Sequence, residues 1–89
     1  MKAFNVRIAA YPAEFRDDGQ MIIALTQPYA CEYHDITSFE AGLALINDVG
    51  AKFPGSAVSI RCASKPKPRG FDAFFKNPYG FRAQEAPTT

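Results

Sequence analysis

The chain has no tryptophan, a single histidine, two cysteines and no long hydrophobic run. Each scarcity removes a class of function. With one histidine, any imidazole-based catalysis or metal binding rests on His34 alone. Two cysteines do not make a disulfide framework, so Cys31 and Cys62 read as free thiols in buried core positions. The longest purely apolar stretch, Met21-Ile22-Ile23-Ala24-Leu25, is far short of the ~20 residues needed to cross a bilayer. The opening residues, MKAFNVRIAAYPAEF, are interrupted by Asn5, Arg7 and Pro12 and never build the apolar run of an export signal. A cytoplasmic protein without a membrane role is expected. Gly50, Gly55, Gly70 and Gly80 do not form a phosphate-binding loop.

What is present suits one small globular domain. Of 89 residues, 47% are hydrophobic and 21% charged, enough for a modest core. The net charge of +1 hides an asymmetry: residues 1–60 carry four basic and seven acidic side chains, residues 61–89 six basic and two acidic. An acidic body with a basic C-terminal part bears on partners rather than on fold.

Hydrophobic periodicity sets out the elements. Phe4, Val6, Ile8 and Ala10 alternate with Asn5, Arg7 and Ala9, the pattern of a half-buried strand. Asp17-Asp18-Gly19 is a turn signal. Gln20 to Thr26, apolar on both faces, predicts a second strand in a central position. A shorter third strand is expected from Cys31 to Ile36. Thr37-Ser38-Phe39-Glu40 has capping-box spacing, with Thr37 as cap and Glu40 reaching back. Phe39, Leu43, Ile46, Val49 and Phe53 then recur at helical spacing until Pro54-Gly55. They are expected to pack on Val6, Ile8, Ile23, Leu25, Val58 and Ile60. Ala57 to Ala63 supplies the last strand, with Val58, Ile60 and Cys62 on one side and Ser59 and Arg61 on the other.

The predicted fold class is α+β: a two-layer sandwich with one helix on a mostly antiparallel sheet of three or four strands, ordered β-β-(β)-α-β. Residues 1–63 are expected to form the core, residues 64–82 a basic, proline- and aromatic-containing segment that is either docked or partner-binding, and residues 83–89 a frayed tail. One helical turn is expected over Asp72 to Lys76.

The segment SKPKPRGFDAFFKNPYGFR, residues 64–82, carries most of the functional interest. It sets four phenylalanines and a tyrosine among five cationic side chains and three prolines. Its candidate partner-binding residues are Lys65, Lys67, Arg69, Phe74, Phe75, Lys76, Tyr79, Phe81 and Arg82. Aromatic and arginine side chains serve as anchors for a protein partner. The same residues, with Phe71, could neutralise phosphates and stack on unpaired bases of a single-stranded nucleic acid. Alternatively, the phenylalanines fold back and complete the core. A second candidate surface is acidic: Glu14, Asp17, Asp18, Glu32 and Asp35, whose charges can imitate phosphate in a basic channel.

Enzymatic readings are weaker. Cys31-x-x-His34 has the spacing of a metal pair but no second pair, and an exposed histidine beside a buried cysteine explains it. As a thiol and base, the two residues would point to opposite faces of a strand. Neither a metal, a cofactor nor a catalytic residue is assigned. By architecture alone, the chain resembles small inhibitor and accessory proteins of phages and mobile elements, anti-CRISPR proteins among them. No residue motif carries that resemblance, and no site is transferred from it. The expected function is a non-enzymatic protein-binding module, an inhibitor of a larger nucleic-acid-handling complex; the alternative is a small single-stranded nucleic-acid-binding protein.

Overall fold

The computed structural model describes residues 2–18, 20–24, 27–76 and 81–82. Its elements, in chain order, are β1 (Phe4–Tyr11), β2 (Ala13–Phe15), β3 (Met21–Ile23), β4 (Ala30–Ile36), α1 (Phe39–Lys52), β5 (Ala57–Cys62), α2 (Phe71–Phe74) and β6 (Phe81–Arg82). The main sheet is ordered β4-β1-β5-β6. β1 is antiparallel to both β4 and β5, with Ile8 opposite Glu32 on one side and Ile60 on the other. One face of this sheet carries α1, so the α+β class read from the sequence is the fold observed.

The alternation in β1 is realised from Phe4 to Ile8 and then lapses, because Ala9 and Tyr11 are buried as well. Phe4, Val6, Ile8 and Ala10 are buried together with Val58 and Ile60 of β5 and Ile46 and Val49 of α1. Leu43, Phe39 and Phe53 are only partly buried and pack at the margin of this core. The helix begins one residue later than the capping-box reading places it. Ser38, not Thr37, is the cap, and its Oγ accepts from the backbone N–H of Ala41 at 3.1 Å. Both residues are good caps, but an alanine three places after Ser38 leaves Glu40 no part in a reciprocal box. The helix stops as predicted: the Phe53 N–H closes the last turn on Val49 and Gly50, and the Ser56 Oγ donates to the Phe53 carbonyl at 2.6 Å.

The second strand departs most from expectation. Met21–Ile23 is not central in the main sheet but pairs with β2 in a separate two-stranded sheet. Ile22 is 43% exposed. Ile23 is half-buried and lies outside the core cluster; Leu25 and Thr26 lie outside the described residues. An apolar run predicts burial when a layer lies on each side, and this one emerges into a ribbon instead. The Ala24 N–H donates to the Pro12 carbonyl and the Arg16 N–H to the Gln20 carbonyl, both at 2.9 Å, so the ribbon is paired through to its turn.

The segment after β5 docks. Ser64 accepts from the Asn5 N–H at 2.7 Å, tying chain positions 59 residues apart. Gly70 adopts φ 90°, left-handed backbone that favours glycine, and turns the chain into α2. The turn covers Phe71–Phe74 rather than Asp72 to Lys76. Phe71 and Phe75 are buried members of the core. Through these two rings the segment that follows residue 63 is docked on the core formed by residues 1–63. β6 is two residues long and places Phe81 opposite Val58 and Arg82 opposite Ala57. Among the described residues no helix is long and apolar enough to cross a membrane.

Candidate functional site

The sequence-predicted basic and aromatic segment splits into an inside and an outside. Phe71 and Phe75 join Phe4 and Phe39 in a ring cluster at one end of the sandwich, with centroids 4.9 Å apart for Phe71 and Phe75 and 5.8 Å for Phe4 and Phe39. Phe75, at 2% exposure, covers the core and is not presented to a partner. Phe74 lies on the outer rim of the same cluster, 38% exposed and 5.2 Å from Phe39. Lys65, Lys67, Arg69 and Lys76 of the same segment are exposed. Lys67 is engaged locally, its Nζ 3.0 Å from Asp72 and 6.0 Å from the Phe71 ring centroid. Tyr79 lies outside the described residues, and Phe81 and Arg82 are placed by their backbone in β6.

The acidic candidates do not form one surface. Glu14, Asp17 and Asp18 gather on the arm, where the Asp18 carboxylate accepts from the Gln20 N–H at 2.9 Å and shapes the turn. Glu32 and Asp35 sit on opposite faces of β4, because residues three apart on a strand alternate sides. Glu32 is half-buried on the helix side, 2.8 Å from the His34 Nε2 and 4.0 Å from the Lys52 Nζ. Asp35 lies on the other face and accepts from the Asn5 side-chain amide at 3.0 Å.

Cys31 and His34 are likewise separated. Cys31 stands opposite Ala9 and His34 opposite Val6, on opposite faces of the sheet. Cys31 is exposed and Cys62 half-buried, so neither is the buried core cysteine expected; both are free thiols. Residues at an edge strand have a neighbour on one side only, which leaves Cys31 open. His34 is half-buried against Glu32 rather than exposed. Among the described residues no group of three or more His, Cys, Asp or Glu side chains could hold a metal ion.

Two features escaped the sequence reading. The first is the arm, where Ile22 projects beside Glu14, its cross-strand neighbour. The second is the sheet face turned away from α1. There Tyr33, Arg7 and Arg61 stand in one row across β4, β1 and β5. Tyr33 is 62% exposed. The Arg7 guanidinium reaches the Tyr11 hydroxyl at 3.2 and 3.3 Å. That bond raises the Arg7 pKa above its usual value, partly opposed by burial. In the next row, Ala9 and Ser59 are buried, and the Ser59 Oγ has no hydrogen-bond partner among the described residues. A Cys-Glu-Tyr-His-Asp run lacks apolar alternation, and only the register of β4 against β1 shows which residues share this face.

No protein-family model, curated protein or solved structure matches the chain.

Proposed function

We propose that this protein is a non-enzymatic protein-binding module whose principal contact element is the β2–β3 arm. The observation that carries the proposal is the exposed Ile22 on a two-stranded ribbon that, among the described residues, pairs with no other strand. An isolated two-stranded ribbon is marginal in water, and an apolar side chain kept on such an element gains its free energy by burial against something else. Glu14, Asp17 and Asp18 on the same arm favour a basic receiving groove. In its most specific form, the partner belongs to a nucleic-acid-handling complex whose basic channel the arm occupies as an inhibitor. Phe74 with Arg69 and Lys76 forms a second, smaller contact. The experiment is affinity capture with mass spectrometry on the wild type and on an Ile22→Ser/Asp17→Asn variant. A stoichiometric partner captured by the wild type and lost by the variant, at unchanged melting temperature, supports the reading. A partner retained equally by both removes the arm from it.

Single-stranded nucleic acid is the second reading, now favoured by the exposed Tyr33 beside Arg7 and Arg61 rather than by the C-terminal segment alone. A ring for base stacking and cations for phosphate are the elements such a surface needs. Oligonucleotide binding that weakens steeply with salt and is lost in Tyr33→Ala would promote it.

A further inference from the structure

Among the described residues, β4 is the outermost strand of the main sheet, with β1 on one side and no strand on the other. The ladder fixes which of its backbone groups face outward. The Ala63 N–H donates to the Asn5 carbonyl at 2.8 Å, continuing the register of Val6 opposite Cys62. Asn5, Arg7 and Ala9 therefore direct their backbone groups toward β5. Hydrogen bonding alternates along an antiparallel strand, so Phe4, Val6, Ile8 and Ala10 direct theirs toward β4, as the Tyr29 N–H on the Ala10 carbonyl at 2.7 Å confirms. Their partners Ile36, His34, Glu32 and Ala30 are satisfied by β1. The N–H and C=O groups of Cys31, Tyr33 and Asp35 point away from the sheet.

This edge is complementary to itself. An antiparallel pairing of two β4 strands about a twofold axis at Tyr33 sets Tyr33 against Tyr33 of a second copy and Cys31 against Asp35 of that copy. All three outward-facing residues then meet outward-facing residues. On the helix side, Glu32 falls opposite His34 of the second copy, acid against imidazole. On the other side, the two exposed tyrosines meet across the axis, and aromatic cross-strand pairs stabilise a ladder. Moving the axis by one residue, to Glu32, would set Glu32 against Glu32, a like-charge pair that is destabilising. Edge strands are commonly protected by charge, proline or a bulge. β4 has neither proline nor glycine, and its charged and titratable side chains are spaced so that this one register matches them.

We propose that the protein self-associates through β4, joining two sheets into one continuous sheet across a twofold axis at Tyr33. The proposal is independent of the arm and of its partner.

Sedimentation equilibrium over about 1–200 µM, the range in which a small interface associates, tests it. The weight-average mass of the wild type is expected to rise from 9.8 kDa toward twice that value. Tyr33→Pro removes an N–H that faces outward and no bond within the chain, so it is expected to stay monomeric with a melting temperature near the wild type's. A second variant guards against misfolding: Glu32→Cys/His34→Cys with Cys31→Ser places thiols at a pair that is not hydrogen-bonded and has close Cβ atoms. Oxidation is expected to give a covalent dimer on a non-reducing gel. A wild type that is monomeric throughout overturns the proposal, even if the same edge accepts a strand from another protein. So does a Tyr33→Pro variant that associates as the wild type does, an association lost on Ile22→Ser but not on Tyr33→Pro, or the absence of the covalent dimer.

Discussion

Gly42 of α1 lies directly beneath the ring of Phe75: a Cβ on Gly42 would come 3.0 Å from Phe75 Cζ and 3.1 Å from Ile60 Cδ1. The helix can approach the sheet this closely because the residue between them has no side chain. Phe75, in turn, occupies the space that the missing side chain leaves. Gly42→Ala should therefore destabilise by about 1–3 kcal/mol through overpacking, despite the better helix propensity of alanine. Phe75→Ala alone should cost about 3–5 kcal/mol. In the double variant the contact with Phe75 is gone while that with Ile60 Cδ1 remains, so Gly42→Ala should lose part of its penalty. Denaturant titration of the four proteins measures the coupling, and additivity would show that the two positions do not meet.

Phe74 and Phe75 are adjacent in sequence but differ in environment, and their alanine variants should differ accordingly. Phe74→Ala, at a half-open rim, is expected to cost much less than Phe75→Ala, by about 1–2 kcal/mol or more. Thermal melts of the pair decide this, and equal losses would show that both rings are structural.

Helix capping gives a similarly local test. Ser38→Ala removes the acceptor for the Ala41 N–H and should cost about 1 kcal/mol. Thr37→Ala, outside that bond, should change stability by less than about 0.5 kcal/mol. A larger loss at Thr37 would return the cap to the position suggested by capping-box spacing.

Ser59 offers a stabilising change. Its hydroxyl is buried without a partner among the described residues, and an unsatisfied buried polar group costs about 1–3 kcal/mol. Ser59→Ala removes the group while keeping the small volume beside Ala9, and a rise in unfolding midpoint is expected. A fall would mean that the hydroxyl makes a bond in solution.

Where one face of an element packs and the other does not, the sequence displays its structure. The alternation of Phe4, Val6, Ile8 and Ala10, and the spacing of Ile46 and Val49, follow from that condition, and the α+β class follows from them. Met21-Ile22-Ile23 misleads because an apolar run records hydrophobicity and not which strand will pair with it. Ala13–Phe15 and Phe81–Arg82 are too short to display any period. The candidate surfaces were legible only in part. Lys65, Arg69, Lys76 and Phe74 are exposed as a binding segment requires, but the burial of Phe75 depends on a helix that presents Gly42 to it. Tyr33, Arg7 and Arg61 come together through pairings between distant strands, which no local pattern encodes.

The bond from the Asn5 N–H to the Ser64 hydroxyl has a bearing on synthesis at the ribosome. β1, which lies between β4 and β5, is made before both of them, and the phenylalanines that close its end follow later still. During elongation the apolar side of β1 has to wait for pairing partners far along the chain, and non-local closure of this kind slows folding. A nascent chain halted after Ala63 would leave Phe4 and Gly42 without Phe71 and Phe75 above them. Stalled or shortened products should therefore be the species that chaperones hold and proteases remove.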